Sequence, residues 1–309
     1  ASQQRLTRRW FSATLFPHPV ITPDQPWEFR NLVLFGTLLP LPQNRYRIYY
    51  CDWNPGELKK EVVFSKLMIA ESDDGFRWSK PDLNRVEYQG STHNNICHLF
   101  GFADSPSIVH TPEDAEAPYK MVCFEHFTPT DFWGEGAGLQ LYVSRDGFAW
   151  TRHPASPLLK AGDRTNLMAT RFNGRHILLT RQRDMFERTG GRAVSKSESA
   201  NFLKWSEPEL ILAPTLEDEP DIEFYGASVF ERHGWLMALI EYWDRRLDLL
   251  TTHIAFSRDW KQWIRPHRQP FIPPTAHWNK AWTSCASNGP IYVGDQMVFY
   301  FGGRMTSHS

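Results

Sequence analysis

The apolar positions of this chain come in short runs, broken every few residues by Gly, Pro, Asn or Asp. Runs this short, rich in β-branched and aromatic residues and closed by turn formers, predict strands rather than helices. Five pairs of runs read as antiparallel strands joined by a turn: 32–39 with 46–50, 107–110 with 119–124, 167–172 with 176–180, 227–230 with 235–240, and 289–293 with 296–301. Further strands are expected at 65–70, 139–143, 192–196 and 253–256. Helical pattern is scarce, and only 3–11 suggests a short helix.

Each of these further strands runs into the same signature. It reads Ser72-Asp73-Asp74-Gly75-Phe76-Arg77-Trp78, then Ser144-Arg145-Asp146-Gly147-Phe148-Ala149-Trp150. Looser copies follow in 197–205 and 257–263, and the closing Trp residues lie 72, 55 and 58 positions apart. A recurring period of this size predicts a repeat architecture in which each unit buries its faces against its neighbours. The fold expected is an all-β, five-bladed β-propeller with about four antiparallel strands per blade and a central funnel, spanning 1–309 as one domain. The fifth blade lacks a signature hairpin, so the N-terminal segment 1–27 is expected to help close the ring and cover its edges.

Composition adds little against this reading. The chain has 309 residues and a net charge of -1, so nothing favours nucleic acid or an anionic membrane as partner. No apolar run approaches the ~20 residues that span a bilayer. The first ten residues are polar and basic, unlike a signal peptide, yet the chain opens on Ala1 without Met, which favours a processed secreted or periplasmic protein over a cytoplasmic one. Four scattered cysteines, Cys51, Cys97, Cys123 and Cys285, show no framework spacing; buried thiols are expected, with a disulfide or two left open. Oligomeric state is not readable. The high aromatic content, with 13 Trp, suits all-β repeat cores and also sugar-stacking surfaces.

These hairpins, with strand pairs such as the one ending Tyr46-Arg47-Ile48-Tyr49-Tyr50, resemble the five-bladed propeller glycosidases. That superfamily holds glycoside hydrolase families thirty-two, forty-three, sixty-two and sixty-eight. Trp78-Ser79-Lys80-Pro81, followed by Tyr88-Gln89-Gly90-Ser91 and Asn94-Asn95, is similar to uncharacterised family-thirty-two-like proteins. The resemblance implies a glycoside hydrolase or transglycosidase acting on a furanose-containing or short oligosaccharide, with no required cofactor. The Trp-x-Asn-Asp-Pro-Asn-Gly stretch, Arg-Asp-Pro triplet and Glu-Cys dipeptide of the invertase-like enzymes are absent from the sequence, so their specificity does not carry over. A carbohydrate-binding propeller without catalysis is the rival from another class. A sialidase-like enzyme is a third reading, and it requires Arg164, Arg183 and Arg304 to converge.

Glycoside hydrolysis needs two carboxyl groups flanking the bond, one protonated and one ionised. In a propeller the first strand of each blade begins at the funnel, so acids at those starts are the candidates. Glu28, Asp104 and Glu223 form the expected catalytic set, with Glu223 as proton donor because of its aromatic neighbours. Asp52, Arg164, Asn166, Arg183, Tyr225 and Glu241 are expected to bind substrate, with Trp133 and Trp282 as stacking platforms. The Asp residues of the hairpin signature are expected to be structural. His93, Cys97, His98, Cys123 and His126 match no standard zinc spacing, so no metal site is assigned. A structural cation in the funnel is the one ion considered.

Overall fold

The hairpin signature builds the same turn four times, in three chemical variants. Ser72 Oγ accepts from Gly75 N at 2.8 Å, and Asp74 Oδ1 accepts from Phe76 N and Arg77 N, both at 2.7 Å. Asp146 repeats this with Phe148 N and Ala149 N, Asn201 with Leu203 N and Lys204 N, and Asp259 with Lys261 N and Gln262 N. The residue after the Asp or Asn is left-handed each time: Gly75 at φ +78° and Gly147 at +76°, but Phe202 at +63° and Trp260 at +67°. Glycine takes that conformation without strain, whereas other residues give up about 1–3 kcal/mol. Phe202 and Trp260 are both buried between sheets, and burying a ring of that size offsets a cost of that order.

In a computed structural model describing residues 9–29, 31–35, 37–53, 65–101, 103–125, 135–182, 191–285 and 288–307, the strands form four sheets of four to six strands. The first contains β1 (Asn31–Val33), β2 (Leu38–Leu41), β3 (Arg45–Trp53), β4 (Ser65–Ser72) and β5 (Ile96–Phe100). The second contains β6 (Ala103–His110), β7 (Tyr119–Glu125), β8 (Gly138–Ser144) and β9 (Thr151–Arg152). The third contains β10 (Asn166–Leu167), β11 (His176–Gln182), β12 (Ala193–Ser199) and β13 (Glu209–Leu212). The fourth is built on β14 (Ile222–Arg232), β15 (Trp235–Asp244), β16 (Leu249–Ser257) and β17 (Trp263–Ile264), extended by β18 (Trp282–Cys285). A hairpin of β19 (Ile291–Val293) and β20 (Gln296–Val298) follows, and β21 (Phe301–Arg304) returns to pair with β18. Helix is limited, among these residues, to two single 3₁₀ turns, and the part of 3–11 that is described, from Arg9, is not helical.

The sheets stand as propeller blades with apolar faces in contact. Val109, Phe124 and Leu141 of the second meet Leu167, Leu178 and Phe202 of the third. Leu179 and Val194 of the third meet Phe224 and Val229 of the fourth. Polar side chains stitch the first strands of neighbouring sheets together: Ile108 N donates to Thr37 Oγ1 at 2.9 Å and Leu167 N to Ser107 Oγ at 2.8 Å. Asn288 joins the first two sheets by accepting from Leu38 N and donating to Ile108 O.

The expected five blades are corrected to four. The predicted fifth pair forms only the two-stranded hairpin β19–β20. The strands flanking it are drawn into the fourth sheet, because β18 finds partners on β16: Leu250 N donates to Ala281 O at 3.1 Å and Thr252 Oγ1 to Thr283 O at 2.7 Å. Between the fourth sheet and the first, the segment ahead of β1 lies across the gap without forming a strand. Ala13 N donates to Phe271 O at 2.7 Å, Phe16 stacks on Phe76, and Val20, Ile21 and Trp27 pack with Tyr46, Ile291 and Tyr300.

Candidate active site

Antiparallel pairing brings the starts of β6, β10 and β14 to the same end as the finishes of β7, β11 and β15. The registers Asp104↔Phe124, Asn166↔Leu179 and Glu223↔Trp243 fix this. At that end each first strand carries a backbone irregularity. In β6 the register shifts between Asp104 and Ser107, with Ser105 at φ +53°. Just before β10, Arg164 sits at φ +60°. In β14 the shift falls between Phe224 and Gly226, leaving Tyr225 as the extra residue. Bulges and left-handed non-glycine residues re-aim side chains, and they concentrate where function requires it.

Asp104, Asp163, Arg181 and Tyr225 share one electrostatic neighbourhood. Arg181 is ion-paired to Asp163, and its guanidinium lies 4.4 Å from the centre of the Tyr225 ring. Asp104 accepts from Ser105 Oγ at 2.6 Å. Burial, and then the Asp163 carboxylate, push the Asp104 carboxyl up to about 7, against the opposing pull of Arg181 and Arg164. Asp104 and Tyr225 are half-buried residues.

Arg164 and Glu241 make a buried pair, with Arg164 Nε donating at 2.7 Å and Nη2 to the other carboxylate oxygen. A Cβ at Gly226 would lie 2.5 Å from Arg164 Cγ and 2.6 Å from Glu241 Oε2, so glycine is required by this close approach. Glu223 accepts from Arg192 Nη1 at 2.5 Å and faces Arg245 Nη1 at 3.3 Å. The Arg192 guanidinium also lies 4.6 Å from the Trp243 ring centre. Trp282 meets Tyr225 edge-on at 5.4 Å, and Arg304 covers its ring at 4.4 Å.

The structure thus gathers Asp104, Arg164, Tyr225, Glu223, Glu241 and Trp282 at one end of the molecule. Asn166 is fully buried on β10, and neither of its amide atoms has a partner among the described residues. Glu28 bonds to a separate set of groups. Its side chain is fully buried, accepts from Tyr50 Oη at 2.6 Å and Lys80 Nζ at 2.7 Å, and caps the backbone N–H groups of Asp24 and Gln25. Asp52 is equally enclosed: it pairs with Lys66 at 2.9 Å and accepts from Phe29 N. Arg183 and Trp133 lie outside the described residues, as does His126. Asp163 and Arg181 emerge as central, and both flank the third blade's first strand pair, where polar residues at strand ends are the signal that finds them. Arg192 begins an ordinary strand run and carries no such signal. The described cysteines Cys51, Cys97 and Cys123 are buried free thiols. Cys97 packs in the core with Cys51 and Cys123, while His93 turns outward to bond Asp82 at 2.8 Å.

No protein-family model matches the chain, and no curated protein matches it. Solved structures do. A glycosyl hydrolase from Bacteroides ovatus superposes with a TM-score of 0.64 at 15% identity, over 96% of this chain and 92% of that one. A structure from family 130 of mannoside phosphorylases, which contains hydrolases targeting β-1,2-mannosidic linkages in Candida mannan, gives 0.63 at 15% identity, over 96% and 92%. An N-acetylgalactosamine deacetylase from F. plautii, in complex with blood group B trisaccharide, gives 0.58 at 14% identity, over 86% and 77%. The structural neighbours are therefore mainly propeller-type glycoside hydrolases, and at these identities the likeness is one of fold. No helix among the described residues is long and apolar enough to cross a membrane.

Proposed function

We propose that the chain is a glycoside hydrolase or transglycosidase of the propeller-glycosidase superfamily, cleaving a short or furanose-containing oligosaccharide with funnel carboxylates. The observation that carries this reading is the meeting of Asp104, Asp163, Arg181 and Tyr225, from three successive blades, beside a second acidic group at Glu223. A carboxyl titrating near 7 is still protonated in a large share of molecules at neutral pH and can deliver that proton to a leaving oxygen, which suits Asp104 as general acid. Both oxygens of Glu223 face guanidinium groups, so it suits the role of ionised base or nucleophile better than that of donor. Tyr225 and Trp243 supply apolar walls for a sugar ring. In this reading the reaction needs no cofactor, and Glu28 and Asp52 support the fold.

A second reading, a carbohydrate-binding propeller without turnover, draws on one observation: Asp163, Glu223 and Glu241 are each ion-paired to an arginine. The sialidase-like reading draws less support, since Arg164 is committed to Glu241. The test is a screen of the purified protein against aryl glycosides and oligosaccharides, followed by Asp104→Asn and Glu223→Gln on any substrate found. Turnover lost in both variants with the fold intact supports the assignment; turnover unchanged in both overturns it.

A further inference from the structure

One row of paired residues crosses the fourth sheet at its funnel end: Glu223 opposite Trp243, Trp243 opposite Leu250, Leu250 opposite Trp282, and Trp282 opposite Arg304. Glu223 at one end of the row has two arginine partners. Arg304 at the other end has no carboxylate within 4 Å among the described residues, and its buried Nε donates to nothing there. Its guanidinium rests on the Trp282 ring at 4.4 Å, and burial lowers its pKa from the ordinary arginine value. The side chain is still partly open to solvent. The Asp248 carboxylate acts on it only from beyond ion-pair distance, so the guanidinium has no direct salt bridge among the described residues, and unsatisfied buried donors in folded proteins call for a reason.

We propose that Arg304 is the recognition group for an anionic substituent on the carbohydrate, a sugar carboxylate, seated across Trp282 from Tyr225. This deepens the proposed function and rests on it for the carbohydrate. Guanidinium geometry matches a carboxylate through two parallel N–H donors, and an incoming anion would supply the direct ion pair and the Nε acceptor that the described residues do not. Trp282 beneath and Tyr225 beside it, 5.4 Å away, place this group one aromatic layer from the Asp104 cluster. The acidic sugar would thus lie next to the position where the bond is broken.

Binding is the readout, so the test is independent of turnover. Tryptophan fluorescence and calorimetry follow titration with methyl β-D-glucuronide, methyl α-D-galacturonide, the two matching neutral methyl hexosides, and inorganic sulfate. The expected result is saturable binding of at least one uronide, tenfold or more tighter than its neutral counterpart. Arg304→Gln is expected to abolish that preference and Arg304→Lys to keep part of it, with melting temperatures confirming that both fold. No preference for either uronide, or a preference that survives in Arg304→Gln, overturns the proposal. So does sulfate binding as tightly as the uronides, which would mean a bare anion site. If the parent protein binds a uronide through Arg304 while turning over none of the screened substrates, Arg304 recognition stands and the hydrolase assignment falls.

Discussion

The guanidinium of Arg164 spans both oxygens of the Glu241 carboxylate, and the missing side chain of Gly226 is what leaves room for it. The pair ties the loop before β10 to the middle of β15, across two blades. With both partners almost fully buried, removing one leaves a lone charge in the interior. Glu241→Gln is expected to destabilise the fold by about 3–5 kcal/mol in denaturant unfolding. Gly226→Ala is expected to cost about 1–3 kcal/mol through overpacking alone.

Asp104→Asn separates chemistry from stability. As general acid, Asp104 must be protonated, so turnover by the parent should fall as pH rises through about 7. The variant should lose about 10²–10⁴-fold in rate. Stability also falls with rising pH, but over a lower range. The folded carboxyl keeps its proton to about pH 7, while the unfolded one releases it near 3.8, so the parent loses stability as pH rises between those values. Asn removes that component, and the variant should melt no lower than the parent at pH 8. A variant that is both active and less stable would assign Asp104 a structural role.

Glu28→Gln is the contrasting case. Its carboxylate is fully buried against Lys80 and Tyr50, so the substitution should cost about 3 kcal/mol by leaving the ammonium less compensated. Turnover per folded molecule should be unchanged. A selective loss of rate with normal melting would return Glu28 to the catalytic set.

Asp146→Ala removes an acceptor that holds the Phe148 and Ala149 amides at 2.8 and 2.9 Å. Net hydrogen-bond values place the cost at about 1–2 kcal/mol. Ligand binding at the far end of the blade should not change.

The hairpins and most of their strands were legible because turn chemistry is local. Asp74 and Asp146 bond to amides two and three residues on, and that arrangement needs no tertiary context. The third and fourth hairpins were blurred where Phe202 and Trp260 occupy the glycine position, since only the core between the blades makes that conformation tolerable. Blade phase points to the strand ends where Asp104, Glu223 and Tyr225 lie. It could not separate them from Glu28, because the Lys80 that claims Glu28 lies 52 residues away. The blade count failed for a similar reason. Which neighbour β18 would choose is settled by β16, and an apolar run carries no record of its partner.

Among the described residues, the first and fourth sheets share no ladder; side chains and the strap of residues 10–27 span the space between them. A ring latched this way can part at one seam while every sheet stays whole. The funnel groups of blades two to four would stay assembled as it opened.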